Sequence, residues 1–369
     1  LGRDALVPEG TVGVFRLGRP FFSLATESSF EVEALWRFRP ERVFQGAAVR
    51  QLQGGDGITA PHAYQVRELS LSAWEMRAWP GAFRMEIGGG GGGYTHAYRP
   101  LSGLSPEQEQ LLRAQALPRS EDAGWVGVRL RAFHTDYRVL RDVDTFALPE
   151  DLQVGLLLRG EMRLAASRPG FLEAWSSARY RYLAGDALFT ASAAGSLRWI
   201  VGGGPEEVVN RRGAVELSVV SPWVGIGRLV ARASFQVRAA DLDKTVLFLG
   251  GGNGLRGLEP EVLQGTRIAL MNLEYRTRPV EIATLHVGGV LFWDGGSAWG
   301  VASSPFPQPL VHTVGLGLRA LFPQFDVEPL RIDFGFVLEG PSPPPFERFS
   351  ASFGQITRYR PSMLETPFE

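Results

Sequence analysis

The sequence predicts an all-β protein, a transmembrane antiparallel β-barrel of 16 strands with an infolded loop and one short loop helix. Apolar residues alternate with small or polar ones at a period of two, which is strand behaviour. The candidate strands are about ten residues long, the length with which a tilted strand crosses a bilayer. Forty-five glycines, 25 prolines and 11% aromatic residues fit strands joined by turns better than long helices.

The alternation is clearest in three segments, LQVGLLLRGEMRL, RLVARASFQVR and LRIDFGFVL. In the last of these, Leu330, Ile332 and Phe334 share one face, while Arg331 and Asp333 share the other. A soluble β-sandwich would show the same period, with its apolar face inside. Charged residues, glycine and serine on the polar faces and aromatic residues near strand ends favour the membrane barrel, with a wet lumen and interfacial girdles.

Eleven candidate strands occupy the region from residue 125 to residue 356, and SSFEVEALWRF begins the set before them. Weaker candidates lie at 47–53, 64–77, 82–87 and 94–99, and five strands before residue 120 would give the even number 16. We expect an irregular lead-in or plug at 1–27, the barrel at 28–357 and a tail at 358–369. The sequence begins with Leu1 and not Met, and no charged and apolar leader segment follows it, as expected of a processed or trimmed chain.

Two features interrupt this pattern before residue 120. In SPEQEQLLRAQAL, Ser105 can cap a helix, Pro106 suits its first turn and Gln108 completes a capping box, so we expect a helix in a long loop. The six glycines from Gly88 to Gly93 lack the Lys and Ser/Thr of a phosphate-binding loop. They predict a flexible turn or a tightly curved stretch of strand.

Composition limits the classes of binding partner and the kinds of metal or catalytic site that we expect. The net charge of -1 gives no field to attract polyanions, so nucleic acid is not expected as a partner. The absence of cysteine excludes disulfides and thiolate metal sites. The five histidines form no metal-binding spacing, and no serine stands in a nucleophile motif, so we expect no metal, no cofactor and no enzyme activity.

The stretch GNGLRG matches the dinucleotide-binding fingerprint G-x-G-x-x-G after an apolar run. That fingerprint requires a helix beginning inside it, because the helix N-terminus holds the pyrophosphate. Here Pro260 and Gly265 interrupt the following residues, and Glu274 falls inside a strand pattern. We therefore expect no nucleotide site.

The stretch GNGLRG has a different interpretation if it belongs to a loop between two barrel strands. Arg256 stands between Gly254 and Gly257, and the next two strands place Glu274 and Asp294 on their polar faces. Because a carboxylate inside a barrel is costly unless it is paired, a guanidinium on an infolded loop can bind both acids. The alternative is that each group is separately solvated in a wide pore, and spacing alone does not choose.

The run LGGGNGLRGLEPEVLQGTRIALMNLEYR resembles the hallmark of the BamA/TamA superfamily of outer-membrane barrels, of the bacterial surface antigen type. The motif positions are the R-G pair Arg256 and Gly257, preceded by Gly254 and Leu255, and then Gly265, Asn272, Glu274, Arg276, Phe292, Asp294, Gly296 and Trp299. The resemblance implies that Arg256 contacts Glu274 and Asp294, and that the R-G loop is extracellular and folds into the lumen. Five strands follow that loop in the family, and five follow it here.

The resemblance also implies the bacterial outer membrane and a role in inserting or moving polypeptides through a lateral seam between SSFEVEALWRF and FSASFGQIT. The expected partners are outer-membrane lipids, with client polypeptides or envelope protein subunits. Three features depart from the family: Leu258 replaces an aromatic residue, the chain continues past its closing strand, and POTRA repeats are not evident. An anchoring subunit of an envelope complex and a passive pore are the alternatives.

Overall fold

The protein folds around one large antiparallel sheet, as seen in a computed structural model that describes residues 9–45, 48–202, 207–301, 306–324, 328–338, 349–353 and 364. The strands are β1 Thr11–Arg19, β2 Ser28–Arg42, β3 Phe44–Gln45, β4 Ala48–Val49, β5 Gln51–Gln53, β6 Thr59–Pro61, β7 Ala63–Trp79, β8 Phe83–Pro100, β9 Glu121–His134, β10 Asp136–Arg141, β11 Pro149–Ala166, β12 Phe171–Ala184, β13 Ala187–Ile200, β14 Val208–Val224, β15 Gly227–Ala239, β16 Leu247–Leu249, β17 Leu263–Gly265, β18 Arg267–Thr277, β19 Val280–Ile282, β20 Leu285–Trp299, β21 Val311–Leu321, β22 Leu330–Val337 and β23 Phe349–Phe353.

Each long strand pairs with the next one along the chain, from β1 and β2 at one edge to β22 and β23 at the other. Strands β10 and β19 prolong β9 and β18 along β11 and β20, respectively. This meander confirms the predicted fold class, a large antiparallel barrel sheet of about sixteen strands with one short helix. Among the described residues, no helix is both long and apolar enough to span a bilayer.

The two faces of the sheet differ as a lipid-facing barrel requires. One face exposes apolar side chains such as Leu71, Leu164 and Leu217. The other buries charged residues, and these connect strands that are not neighbours: Arg198 on β13 donates to Glu121 on β9 at 2.9 Å. Because such contacts cross the interior, the charged face lines a lumen, which is the arrangement of transmembrane barrels.

The barrel has a loop end and a turn end. The long connections, which include residues 101–120 and 240–266, lie at the loop end, where β8 and β15 finish. Short connections such as residues 80–82 and 225–226 lie at the turn end. At the loop end, helix α1 Pro106–Gln115 begins with the predicted capping box of Ser105 and Gln108. Its Leu112 packs on Leu52 of the adjacent short hairpin.

The six-glycine run lies inside strand β8, so of the two interpretations the stretch of strand is correct and the turn is not. The inner face of these glycines is covered by tryptophans from both neighbouring strands. Trp74 of β7 lies against Gly90, Trp125 of β9 lies against Gly92, and their ring centroids are 5.3 Å apart. The glycines therefore provide the space in which two indole rings pack against the barrel wall.

The predicted irregular lead-in at 1–27 is wrong for residues 11–19, which form strand β1 in continuous register with β2. The segment TVGVFRLGR places apolar residues on both faces, which hides the alternation that identifies the other strands. Of the weak candidates, 82–87 and 94–99 are the two ends of β8, whereas 47–53 contributes only short loop strands. Leu364, in the predicted tail, packs against Trp175 and Ala214; the tail otherwise lies outside the described residues.

The R-G loop and its lumenal ion-pair cluster

The connection between β15 and β18, residues 240–266, is the R-G loop. It begins with a carboxylate-centred turn, because Asp241 accepts hydrogen bonds from the backbone N–H groups of Asp243 and Thr245, each at 3.1 Å. Strands β16 and β17 then pair as a hairpin, which carries the tip, residues 250–262, into the lumen. The hairpin therefore fixes both ends of the glycine-rich tip.

Arg256 at this tip is fully buried and binds two acids from neighbouring strands. Its Nε and Nη2 donate to the two carboxylate oxygens of Asp294 on β20, at 2.8 and 2.6 Å, and its backbone N–H donates to Asp294 Oδ2 at 3.2 Å. Its Nη1 donates to Glu274 Oε1 on β18. The guanidinium carbon also lies 3.7 Å from the centre of the Phe292 ring, a cation–π contact.

Close backbone approach explains the glycine of the R-G pair. Gly257 has a φ of +87°, and a Cβ at this position would lie 2.6 Å from the carbonyl carbon of Gly335 on β22. A Cβ on Gly335 would in turn lie 2.8 Å from the carbonyl oxygen of Arg256. Loop and barrel wall therefore touch through two residues without side chains.

Apolar packing seats the rest of the tip. Leu255 and Leu258 flank the R-G pair, are 0% and 4% exposed, and join Leu249, Ile268 and Leu270 in one cluster. Leu258, at which the sequence departs from the pattern that it resembles, is thus a buried contact. Asn272 adds a polar tie, because its side-chain amide donates to Gly254 O at 2.8 Å and to Asp294 Oδ1 at 2.7 Å.

The remaining motif residues have distinct places. Gly296 leaves room for Leu255, and Gly265 lies against the backbone of Trp299. The Trp299 ring packs near Phe235, at a centroid distance of 6.0 Å, rather than at Arg256. Arg276 donates through Nε to Glu274 Oε2 at 2.7 Å, so it supports the acid from the side opposite Arg256. Of the predicted residues, all but Gly265, Arg276 and Trp299 form the loop tip or contact it directly.

The ion-pair cluster around Arg256 contains three further charged residues that were not predicted from the sequence, Asp333, Arg319 and Arg331. Asp333 accepts from Arg319 Nη1 at 2.7 Å and lies 3.7 Å from Arg256 Nη1, while Arg331 Nε lies 3.1 Å from Asp333. The available signal was the polar face of LRIDFGFVL, on which Arg331, Asp333 and Gly335 follow one another. Charges in the middle of a strand's inner face indicate a partner across the lumen.

The cluster thus joins four arginines and three carboxylates, all largely excluded from water. Such an arrangement holds a loop firmly, since removal of one charge leaves others buried and unpaired. It contains no nucleophile and base in a catalytic arrangement. Among the residues that the structure describes, no three His, Asp or Glu side chains lie close enough together to hold a metal ion.

Comparisons with known proteins find a family domain that matches the region around this loop. Residues 217–356 match the Omp85 superfamily domain, a range that contains the R-G loop and every strand after it. A comparison with curated proteins found no match.

Solved structures with a similar chain path include the crystal structure of BamA from Haemophilus ducreyi lacking POTRA domains 1–3, with a TM-score of 0.39 and 11% identity over 94% of this chain. CdiB from Escherichia coli gives a TM-score of 0.43 and 13% identity, and CdiB from Acinetobacter baumannii 0.40 and 10%, each over 94% of this chain. This chain spans 69%, 63% and 60% of the lengths of those three structures. The protein is a β-barrel of the bacterial outer membrane that carries an Omp85 superfamily domain.

Proposed function

We propose that this barrel assists the insertion or translocation of polypeptides at the outer membrane, and that the R-G loop keeps the barrel in its competent shape. The observation that carries the proposal is Arg256, which is fully buried and joins the loop tip to β18 and β20. The match of residues 217–356 to the Omp85 superfamily domain supports it. The loop end then faces the cell exterior.

The mechanism is physical rather than covalent. Strands β1 and β23 are the terminal strands of the described sheet, and opening of the seam between them makes backbone amides and carbonyls available to an incoming strand. A client strand in lipid cannot leave its own backbone groups unsatisfied, so pairing at the edge favours its insertion. Since β1 lies outside β2, we place the seam at Thr11–Arg19 and Phe349–Phe353, not at SSFEVEALWRF.

The ion-pair cluster supports this seam from within. Strands β18, β20 and β22 all contribute acids to Arg256, and β22 pairs directly with the edge strand β23. Because the R-G tip touches β22 at Gly335, a seated loop fixes the last strands relative to the rest of the barrel. The proposed client partners are unfolded outer-membrane polypeptides, together with the surrounding lipids.

The test compares Arg256→Ala with Arg198→Ala in assembly of a reporter barrel in proteoliposomes. Both arginines are lumenal and bind two carboxylates, but Arg198 binds Glu121 and Glu173 on β9 and β12, not the acids that hold the tip of the R-G loop. We expect Arg256→Ala to lower the assembly rate at least about tenfold, because it releases the loop tip from β18 and β20 and leaves fully buried acids unpaired there, at a cost of about 3–5 kcal/mol. Arg198→Ala should assemble the reporter like the unmodified protein.

Equal assembly rates for both variants, with folded barrels shown by heat-modifiable gel mobility, would refute the role of the loop. If the unmodified protein assembles no client but copurifies with a stoichiometric envelope subunit, it is an anchor. If it assembles none and conducts ions in planar bilayers equally with and without Arg256, it is a passive pore. These outcomes separate the proposal from both alternatives.

A further inference from the structure

A second segment enters the lumen, from the turn end. Residues 142–148, which connect β10 and β11, form this segment, hereafter the plug turn. Its Val143 and Phe146 are each 4% exposed, and the Phe146 ring reaches Gly288 on β20, where an added Cβ would lie 2.8 Å from it. Five strands separate β11 from β20 along the sheet, so the plug turn crosses the lumen.

The plug turn has a defined structure of its own. The carboxylate of Glu150 accepts the backbone N–H groups of Val143 at 2.8 Å and Asp144 at 3.1 Å, and the hydroxyl of Thr145 at 3.2 Å. Asp142 Oδ1 accepts the backbone N–H of Ala147 at 2.6 Å. The Val143 side chain packs on an apolar cluster whose other members are Leu152, Leu188, Val220 and Val230. The plug turn is therefore an ordered turn with its own hydrogen bonds and its own apolar contacts.

One strand holds the plug turn and the R-G loop together. Arg276 Nη1 on β18 donates to the carbonyl oxygen of Val143 at 3.0 Å, and its Nε donates to Glu274 Oε2 at 2.7 Å. The other oxygen of Glu274 accepts from Arg256. A continuous chain of charge-assisted hydrogen bonds thus runs from the loop tip, through Glu274 and Arg276, to the plug turn.

A second arginine at the turn end also binds both a carboxylate of its own strand and a backbone carbonyl oxygen, but of a different segment. Arg84 on β8 donates through Nε to Glu86 at 2.7 Å, two residues along its strand, and through Nη2 to the carbonyl oxygen of Thr26 at 2.7 Å. Arg84 thereby holds residues 20–27, between β1 and β2. Its geometry matches that of Arg276 with Glu274, but it serves another segment, so Arg84 is a control.

We propose that residues 142–148 are a lumenal plug whose seating is coupled to that of the R-G loop through Glu274 and Arg276. Each segment adds hydrogen bonds that fix the Glu274–Arg276 pair for the other. Release of either one weakens the hold on the other, and by linkage the effect is reciprocal. The inference concerns the resting barrel and does not require that the protein insert polypeptides.

Thiol labelling measures the two segments separately, because the chain has no cysteine. Val143→Cys reports on the plug turn, and Leu255→Cys reports on the loop tip; the native side chains are 4% and 0% exposed. The labelling rate with a membrane-impermeant maleimide is measured on the folded, full-length barrel in detergent micelles. Heat-modifiable gel mobility checks that each variant remains folded.

Arg276→Ala should raise the labelling rate of both probes about tenfold, the size of an ordinary coupling between sites. Arg84→Ala should leave both rates unchanged. Glu150→Gln is the decisive variant, because it loosens the plug turn without touching the Glu274–Arg276 pair. We expect it to raise labelling at position 143 and, through the coupling, at position 255 as well.

Independent movement would overturn the proposal: Glu150→Gln would then expose position 143 while position 255 stayed protected. Rapid labelling of position 143 in the otherwise unmodified barrel would refute the plug itself. If Arg276→Ala fails to fold, Glu150→Gln still decides the question. None of these readouts depends on polypeptide assembly, so a failure here is distinct from a failure of the proposed function.

Discussion

Gly257 shows how a single residue decides whether the R-G loop reaches the lumen. Its φ of +87° costs a residue with a side chain about 1–2 kcal/mol, and an added methyl group would also press on Gly335. Gly252, in the same loop, has no atom within 4 Å of an added Cβ. The two glycines therefore differ in function although they share a motif.

We predict that Gly257→Ala unseats the loop and that Gly252→Ala does not. Trypsin provides the measurement, because it cleaves after arginine and Arg256 is fully buried when the loop is seated. Cleavage at Arg256 should be fast in Gly257→Ala and undetectable in Gly252→Ala. Equal resistance of both variants would mean that the loop tolerates the strain at this position.

His62 makes one loop sensitive to acid. It is 4% exposed, its carbonyl accepts the backbone N–H of Val43, and burial together with the neighbouring Arg50 lowers its pKa to about 4. In the unfolded loop the pKa is near 6.5. Below pH 6.5 the open loop binds a proton that the closed loop excludes, so stability falls, by up to about 3 kcal/mol at pH 4, and does not change above pH 6.5.

Amide hydrogen exchange at Val43 and Arg50, whose N–H groups bond within this loop, measures the effect. Exchange corrected for its intrinsic pH dependence should accelerate between pH 6.5 and pH 4. His62→Gln should remove this acceleration because the amide does not titrate. The prediction fails if both proteins show the same pH profile.

At the residue scale, the sequence predicted the contacts of Arg256 but not their full extent. Spacing left Arg256 and the two acids on successive strands either joined or separately solvated, and the resemblance to the BamA/TamA superfamily predicted that they are in contact. Asp333 comes from a strand 59 residues beyond Glu274, and its approach depends on how the barrel curves. Alternation assigns a residue to the inner face but not to a partner across the lumen.

Strand β8 shows a similar limit at the scale of an element. Glycine has a low β-propensity, so the run of six predicted either a flexible turn or a tightly curved stretch of strand. Tertiary packing decides for the strand, because Trp74 and Trp125 cover the inner face of the run. Strand β1 was missed for a related reason: its apolar residues lie on both faces, and only pairing with β2 identifies it.

The two faces of this run should respond differently to a methyl group. Gly90→Ala would drive a Cβ into the Trp74 ring, whereas a Cβ on Gly89 meets nothing closer than Gly127 O at 3.9 Å. We predict that Gly90→Ala lowers the free energy of unfolding by about 1–3 kcal/mol through overpacking. Gly89→Ala should be neutral or stabilise by up to about 1 kcal/mol. Urea unfolding in micelles, followed by tryptophan fluorescence, provides both values.

Across the whole molecule, three connecting segments are fixed in the same way. The R-G loop enters the lumen from the loop end, the plug turn enters it from the turn end, and residues 20–27, which are mostly exposed, lie at the turn end. Each is held by a buried arginine that is itself fixed by a carboxylate on the barrel wall. No sequence pattern indicated the two segments at the turn end. Their arginines bind backbone carbonyl oxygens, and because every residue has one, such an acceptor cannot be recognised from the amino-acid sequence.

This arrangement predicts a barrel that conducts ions poorly at rest. Arg84 on β8 and Arg276 on β18 hold segments on different sides of the lumen, so release of one leaves the other in place. We expect Arg84→Ala and Arg276→Ala each to raise single-channel conductance in planar bilayers slightly. The double variant should conduct more than the two single increases together, because only then are both sides of the turn end unobstructed. Arg198→Ala, which breaks lumenal ion pairs but releases neither segment, should conduct like the unmodified barrel; high conductance in that barrel would contradict the obstruction itself.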